Sequence, residues 1–250
     1  MTRENRSGRP ATPHDLSAVA DLLWRADAEE QPEDRPRLNV RRIVTAAVAA
    51  ADAEGLAALS MQRVAAELGC TAMALYRHIP GKDQLIAAMN DFATGRPPAP
   101  PSPPAGWRAE IEAWVASLWD LYLRHPWMLR VPTSSAPVGP NELAWFEALL
   151  RPLHRAGLPR EELIPLATFV SGAVRDLARV ATELDPESAA AYGEVLARRL
   201  DPERFPLLCS LAGEEGLDED EDGDVTPIVR HGIARLLDGI EAAAAPHRPV

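Results

Sequence analysis

The feature that most constrains this chain is a series of short, punctuated helical segments near its N-terminal end. Asn39, Ser60 and Thr71 each precede an apolar stretch with helical spacing, where a side-chain oxygen can cap the first turn of a helix. Glycines follow two of these stretches, and glycine commonly ends helices. This pattern predicts a cluster of short, closely packed helices.

The helical spacing continues to the C-terminus, and no segment alternates apolar and polar residues as a β-strand does. We therefore predict an all-α protein. The predicted helices cover residues 15–30, 40–54, 61–68, 72–78, 82–93, 107–124, 141–156, 159–184, 186–200, 202–211 and 226–245.

A proline-rich stretch, GRPPAPPSPPAG at 95–106, divides the chain. Its six prolines favour a stiff, extended spacer. We predict an N-terminal extension that is partly disordered and carries a short helix, a small helical domain, a linker and a larger helical domain. Their predicted bounds are 1–37, 38–95, 96–106 and 107–250.

The net charge of −11 argues against general nucleic-acid binding, but the acidity is unevenly distributed. Residues 38–95 carry five basic and five acidic side chains, whereas residues 96–250 carry 15 arginines and 24 acidic residues. The small domain therefore has no net charge, and the acidity of the whole chain does not exclude a DNA-binding surface on it.

Residues 59–85, LSMQRVAAELGCTAMALYRHIPGKDQL, have the order helix, glycine turn, helix that is typical of a helix-turn-helix motif. The outward face of the second helix carries Ala72, Met73 and Tyr76, with His78 at its rim. Small side chains let a helix approach base edges in a major groove about 12 Å wide. The alternative is a small helical bundle in which the Tyr-x-His sequence has no role.

Residues 38–93, and LYRHIPGKDQL in particular, resemble the DNA-binding domain of TetR-type transcriptional repressors. The resemblance implies phosphate contacts from Tyr76, His78 and Lys82. It implies base contacts from Gln62, Ala72, Met73 and Ala74, with Thr71 near the DNA backbone. The RPR sequence ending at Arg37 is similar to the basic arm that many such regulators lay in the minor groove.

The C-terminal segment VRHGIARLLDGIEA, residues 229–242, looks like the last helix of the tetracycline-repressor-like subgroup. That likeness implies a homodimer formed by helices 159–184 and 226–245, and a ligand cavity in the larger domain. We expect a small apolar or aromatic effector, because a pocket has apolar walls and few polar anchors. The candidate ligand-binding residues are Trp119, Tyr122, His125, Trp127, Met128, Trp145, Phe146, Phe169 and Arg175.

Other classes of function find less support in the sequence. The acidic run DEDEDGD at 218–224 resembles the start of a calcium loop, but Val229 stands where the bidentate glutamate is required. No nucleophile–base pair, phosphate loop or metal-ligand spacing is visible, so we predict no enzyme, no metal and no cofactor. No apolar run reaches the roughly 20 residues of a membrane span. Two distant cysteines and the absence of a signal-peptide pattern fit a cytoplasmic protein.

These features together predict a ligand-responsive transcriptional repressor that binds a palindromic operator on double-stranded DNA as a homodimer. The alternative from another class is a small-molecule-binding helical protein without specific DNA binding. Two features support keeping this alternative. They are the neutral charge of residues 38–95 and the apolar outward face of the second helix of the helix-turn-helix motif.

Overall fold

The computed structural model describes residues 13–28, 38–100, 105–131, 137–183, 186–213 and 226–244, and all regular structure in these ranges is helical. The prediction of an all-α fold is confirmed. The helices are α1 Pro13–Ala28, α2 Val40–Glu54, α3 Met61–Glu67, α4 Ala72–Tyr76, α5 Lys82–Thr94, α6 Gly106–Arg124, α7 Pro140–Arg155, α8 Arg160–Glu183, α9 Pro186–Arg199, α10 Pro206–Gly213 and α11 Thr226–Ala244, with 3-10 turns at Leu56–Ala58 and Pro126–Arg130.

The chain forms two compact units, Met1–Ala167 and Thr168–Val250, and α8 begins in the first and continues in the second. The division proposed from the proline-rich stretch stays a prediction. Among the described residues, no helix combines the length and the apolar character needed to cross a lipid bilayer.

The core of the helix-turn-helix region consists of side chains from α2 to α5. Asn39 caps α2, since its Oδ1 accepts a hydrogen bond from the Arg42 N–H at 2.8 Å. Helix α2 packs against α5 and α3, and α3 packs against α4. The fully buried side chains here are Ile43, Val44, Val64, Leu75, Ile79, Leu85 and Met89.

Helix α1 packs against α5 and α7, a contact that its sequence alone did not indicate. Leu22 and Leu23 are buried on the packed face. The Trp24 indole N–H donates to the carbonyl oxygen of Val138 at 3.0 Å, just before α7 begins. The N-terminal extension therefore contributes a helix to the first compact unit.

In the second unit, α8 and α11 each bury an apolar stripe with helical spacing. The buried side chains are Val170, Val174 and Ala178 on α8, and Val229, Ile233, Leu237 and Ile240 on α11. The prediction that a helix starts at Pro202 is wrong, because residues 202–204 form a turn and α10 begins at Pro206. Asp201 holds that turn, since its carboxylate accepts from the Glu203 N–H at 2.9 Å and its carbonyl from the Phe205 N–H at 2.7 Å.

Candidate nucleic-acid interface

Caps at both N-termini and a glycine turn fix the helices α3 and α4. The Ser60 Oγ accepts a hydrogen bond from the Arg63 N–H at 3.1 Å. The Thr71 Oγ1 accepts one from the Ala74 N–H at 3.3 Å, so the Thr71 hydroxyl serves α4 while the residue stays exposed. Between the helices, Gly69 has a φ of 64°, a left-handed conformation that glycine adopts at little cost.

Helix α4 presents a small and mostly apolar face to solvent. Leu75 is fully buried and so turns the opposite side of α4 outward. Met73 is 73% exposed and Tyr76 is 42% exposed, and their three-residue spacing puts them on one face. Ala72 and Ala74 are half-buried. This face can approach another surface closely, and the Tyr76 hydroxyl is its hydrogen-bonding group.

Polar and cationic side chains lie before and after this face in the sequence. Gln62 on α3 is exposed, His78 is half-buried, and Arg77 and Lys82 are exposed. Lys82 is the first residue of α5, and no side chain caps that helix. The free N–H groups of its first turn and the Lys82 ammonium both favour a phosphate.

Eight of the nine predicted DNA-binding residues lie on α3, on or next to α4 and at the start of α5, and each of them is exposed or half-buried. Thr71 precedes α4 and His78 follows it. The ninth, Arg37, lies outside the described residues. Sequence reasoning missed Arg77, an exposed cation directly after Tyr76. Its position at the end of α4 is the signal that could have identified it.

The predicted ligand-binding residues are divided between the two compact units. Buried in the first unit are Trp119, Tyr122, Trp127, Met128 and Trp145, and half-buried there are His125 and Phe146. In the second unit, Phe169 is 62% exposed and Arg175 is half-buried.

Two of these residues are tied to the last turn of α2. The Nδ1 of His125 lies 2.7 Å from the Oδ1 of Asp52, and the Trp127 indole N–H donates to the same oxygen at 2.7 Å. The two rings meet edge to face, with centroids 6.2 Å apart. A shift of residues 125–127 would therefore directly change their contacts with α2.

Trp145 on α7 ties that helix to the end of α5. Its indole N–H lies 3.0 Å from the carbonyl oxygen of Gly95 and 3.1 Å from that of Thr94. The Trp114 indole N–H in turn donates to the Trp145 carbonyl oxygen at 2.9 Å, and the two rings pack edge to face. These indole groups are engaged in joining α5, α6 and α7.

A groove of about 1230 Å³ runs along α6 and α7 within the first unit. Trp114, Ala144 and Ala148 supply apolar surface, and Glu110 and Arg151 supply charge. None of the nine predicted ligand-binding residues is among those that line it. Trp114 lies in the predicted helix 107–124, and the helical spacing of its apolar residues was the available signal.

Asp91 near the C-terminal end of α5 caps the N-terminus of α7, and sequence reasoning missed it. Its Oδ1 accepts from the Asn141 and Glu142 N–H groups, both at 3.0 Å, and its Oδ2 accepts from the Asn141 side-chain amide at 2.9 Å. Asp91 is only 4% exposed. A carboxylate in the buried stripe of an amphipathic helix was the only hint in the sequence.

The buried carboxylate of Asp91 and the half-buried carboxylate of Glu142 therefore meet at this joint. Burial raises the pKa of Asp91, against the lowering effect of its three hydrogen bonds. Burial, and then the charge of Asp91, raise the pKa of Glu142. The Glu142 carboxylate accepts from the Asn90 side-chain amide at 2.7 Å, which adds a second link between α5 and α7.

The acidic run at 218–224 lies outside the described residues.

Two family models match this chain. Residues 43–89 match the bacterial regulatory proteins of the tetR family. Residues 99–244 match the tetracyclin repressor-like C-terminal domain. Helix α1 lies outside both matched ranges.

Several similar proteins come from Streptomyces species. The HTH-type transcriptional repressor DrrR1 of Streptomyces coeruleorubidus is 36% identical over 247 residues, which are 94% of this chain and 88% of that protein. The crystal structure of ActR from Streptomyces coelicolor in complex with actinorhodin has a TM-score of 0.72 and 27% identity, over 84% of this chain and 99% of that one. Apo ActR gives the same TM-score at 28% identity, over 84% of this chain and 98% of that one.

Proposed function

This chain belongs to the TetR family of bacterial regulatory proteins, and we propose that it represses transcription by binding a palindromic DNA operator as a homodimer until a small effector releases it. The observation that carries the proposal is the surface formed by α3, α4 and the start of α5. It combines an exposed Gln62, the outward face of α4 and the cation Lys82 on helices fixed by a buried core.

Each part of this surface suits a different feature of DNA. A glutamine side chain can pair with an adenine edge in the major groove. Tyr76, His78 and Lys82 can donate to phosphate oxygens, which position a protein without reading sequence. In a symmetric dimer, two such surfaces one helical turn apart, about 34 Å, would read two half-sites.

The exposed faces of α8 and α11 in the second unit support the dimer. Phe169 and Ile228 are 62% and 57% exposed, although both are large and apolar. Gly172, Gly232 and Gly239 lie within these helices, and a Cβ at each would meet nothing within 4 Å. Each helical glycine costs about 1 kcal/mol relative to alanine. A closely approaching helix from a second copy would give these positions a role.

The effector part of the proposal rests on the aromatic side chains of α6 and of the turn at residues 126–130. ActR has been crystallised in complex with actinorhodin. In this chain, the aromatic side chains suit an apolar or aromatic ligand. A ligand that displaces His125 or Trp127 would break their hydrogen bonds to Asp52 on α2. It lowers operator affinity only if it binds the DNA-free conformation more tightly than the DNA-bound one.

Selection from random DNA duplexes tests the proposal. We expect enrichment of a palindrome whose base preference changes in Gln62→Ala. Tyr76→Phe and Lys82→Ala should weaken binding to all sequences, and Lys82→Ala should also lower the salt dependence, because one phosphate contact per half-site is lost. Failure to enrich any palindrome would favour a helical ligand-binding protein without specific DNA binding.

A further inference from the structure

Met73 is the most exposed large apolar side chain among the described residues, at 73%. It lies in the first turn of α4, the helix that the proposed function places in the major groove. On α3 and α4, Met73 and Tyr76 are the exposed large side chains with apolar character, since Met61, Val64 and Leu75 are buried.

The surrounding structure fixes the direction in which Met73 projects. Leu75 and Ile79 are completely buried and anchor α4 to the core. The Thr71 cap fixes the start of α4. Ala72 and Ala74 on either side are half-buried, and their single methyl groups reach less far than the Met73 thioether.

The chemistry of this turn restricts what it can read. Alanine has no hydrogen-bonding side chain, and methionine has only a weak sulfur acceptor. Of the groups that base pairs present in the major groove, the 5-methyl of thymine is the one that rewards apolar contact. We propose that Met73 is a specificity-determining residue that contacts a thymine methyl in each half-site, an inference that rests on the proposed DNA-binding function.

The side chains near Met73 favour DNA over a protein partner. Exposed Arg77 and Lys82 and the Tyr76 hydroxyl follow it along the chain, and cations near a groove-reading helix match the phosphates that border a groove. A protein partner would call for a contiguous apolar patch. On α4 the apolar surface consists of one long side chain and small ones.

Replacement of thymine by deoxyuridine isolates the proposed contact. Uracil keeps the hydrogen-bonding groups of thymine and lacks only the methyl. With the selected operator, each thymine is replaced in turn, symmetrically in both half-sites, and affinity is measured by fluorescence anisotropy. One buried methyl is worth about fourfold in affinity per half-site, which is about 0.8 kcal/mol. A symmetric replacement at the contacted thymine should therefore cost wild type about 15-fold.

Met73→Ala completes a double-mutant cycle with this replacement. In the Met73→Ala variant, the same deoxyuridine replacement should have almost no effect on affinity. The variant and wild type should bind the deoxyuridine operator with equal affinity. Gln62→Ala is the matched control, because it should weaken binding and leave the deoxyuridine effect intact. Circular dichroism should show an unchanged fold, since Met73 makes little contact with the rest of the protein.

Three outcomes would overturn the inference, and they are distinguishable. If an operator is selected but no thymine is sensitive to loss of its methyl, Met73 reads no methyl. If the loss costs Met73→Ala as much as wild type, another residue makes the contact. If no operator is selected at all, the proposed function fails and this inference falls with it.

Discussion

Asp91→Ala should destabilise the first compact unit, because Asp91 caps α7 across a separation of 50 residues. The variant removes three hydrogen bonds from a site that is 4% exposed. A lost N-cap costs about 1 kcal/mol, and a buried donor left without a partner costs about 1–3 kcal/mol. Part of this loss is offset, because the variant no longer buries a carboxylate charge. We therefore expect a net loss of about 3 kcal/mol in the free energy of unfolding.

Asp91→Asn is the matched control. Its amide oxygen can still accept from the Asn141 and Glu142 N–H groups. The Asn141 side chain can rotate to present its oxygen to the new amide. The loss should therefore stay within about 1 kcal/mol.

The pH dependence of stability gives a second readout at this joint. The pKa values of Asp91 and Glu142 are raised in the folded state above their ordinary values of 3.8 and 4.5. Because the folded state holds these protons more tightly, the contribution of the two groups is fully present below those values. It is lost as pH rises through the folded pKa values. Asp91→Asn should make the decline of stability above pH 4 less steep.

Urea denaturation at pH 7 and across pH 4–7 is the assay. A loss of about 3 kcal/mol corresponds to a fall in Tm of roughly 6–12 °C for a chain of this size. If Asp91→Ala matches wild type, the hydrogen bonds to α7 contribute little. If Asp91→Asn is as damaging as Asp91→Ala, the charge rather than the acceptor geometry is what α7 requires.

The remaining predictions concern the joint, the dimer, the effector and the acidic run. Gly139→Ala should destabilise the joint measurably in the same urea assay, because the added methyl would collide with the Asp91 carboxylate. Ile228→Arg should leave the fold intact but produce monomers in light scattering, and an unchanged dimer would remove α11 from the interface. Asp52→Asn should weaken the response of operator binding to any effector found by tryptophan quenching, and an unchanged response would exclude the α2 contact as the route. Calcium at sub-millimolar concentration should leave the circular dichroism and thermal stability unchanged, whereas a saturable shift would contradict the expectation that 218–224 binds no calcium.

The sequence predicted the helices well because their ends are determined locally. Ser60 and Thr71 cap the helices that follow them, and the hydrogen bonds confirm both predictions. The start of α10 was misplaced because Asp201 holds a tight turn after which Pro206 starts a new helix. The prolines at 202 and 206 are equally acceptable first residues of a helix, and only the turn distinguishes them.

The candidate surface on α4 was also predictable, since helical periodicity separates buried Leu75 from exposed Met73 and Tyr76. The joint between α5 and α7 was not predictable, because Asp91 and Asn141 are 50 residues apart in the sequence and come into contact only in the folded structure. The aromatic residues show the same limit. Composition could nominate Trp127 and Trp145 for a pocket, but only the structure shows that their indole N–H groups bind Asp52 and the end of α5.

The central claim is most directly tested by the ratio of affinities for the selected operator and for a scrambled duplex of equal length. Measured by anisotropy at physiological salt, the ratio for wild type should be about 10³ or more, as for specific DNA-binding proteins. Lys82→Ala should weaken binding to both duplexes and leave the ratio nearly unchanged, because a phosphate contact carries no sequence information. A wild-type ratio near one would contradict the account, since the surface of α3 and α4 would then read no DNA sequence.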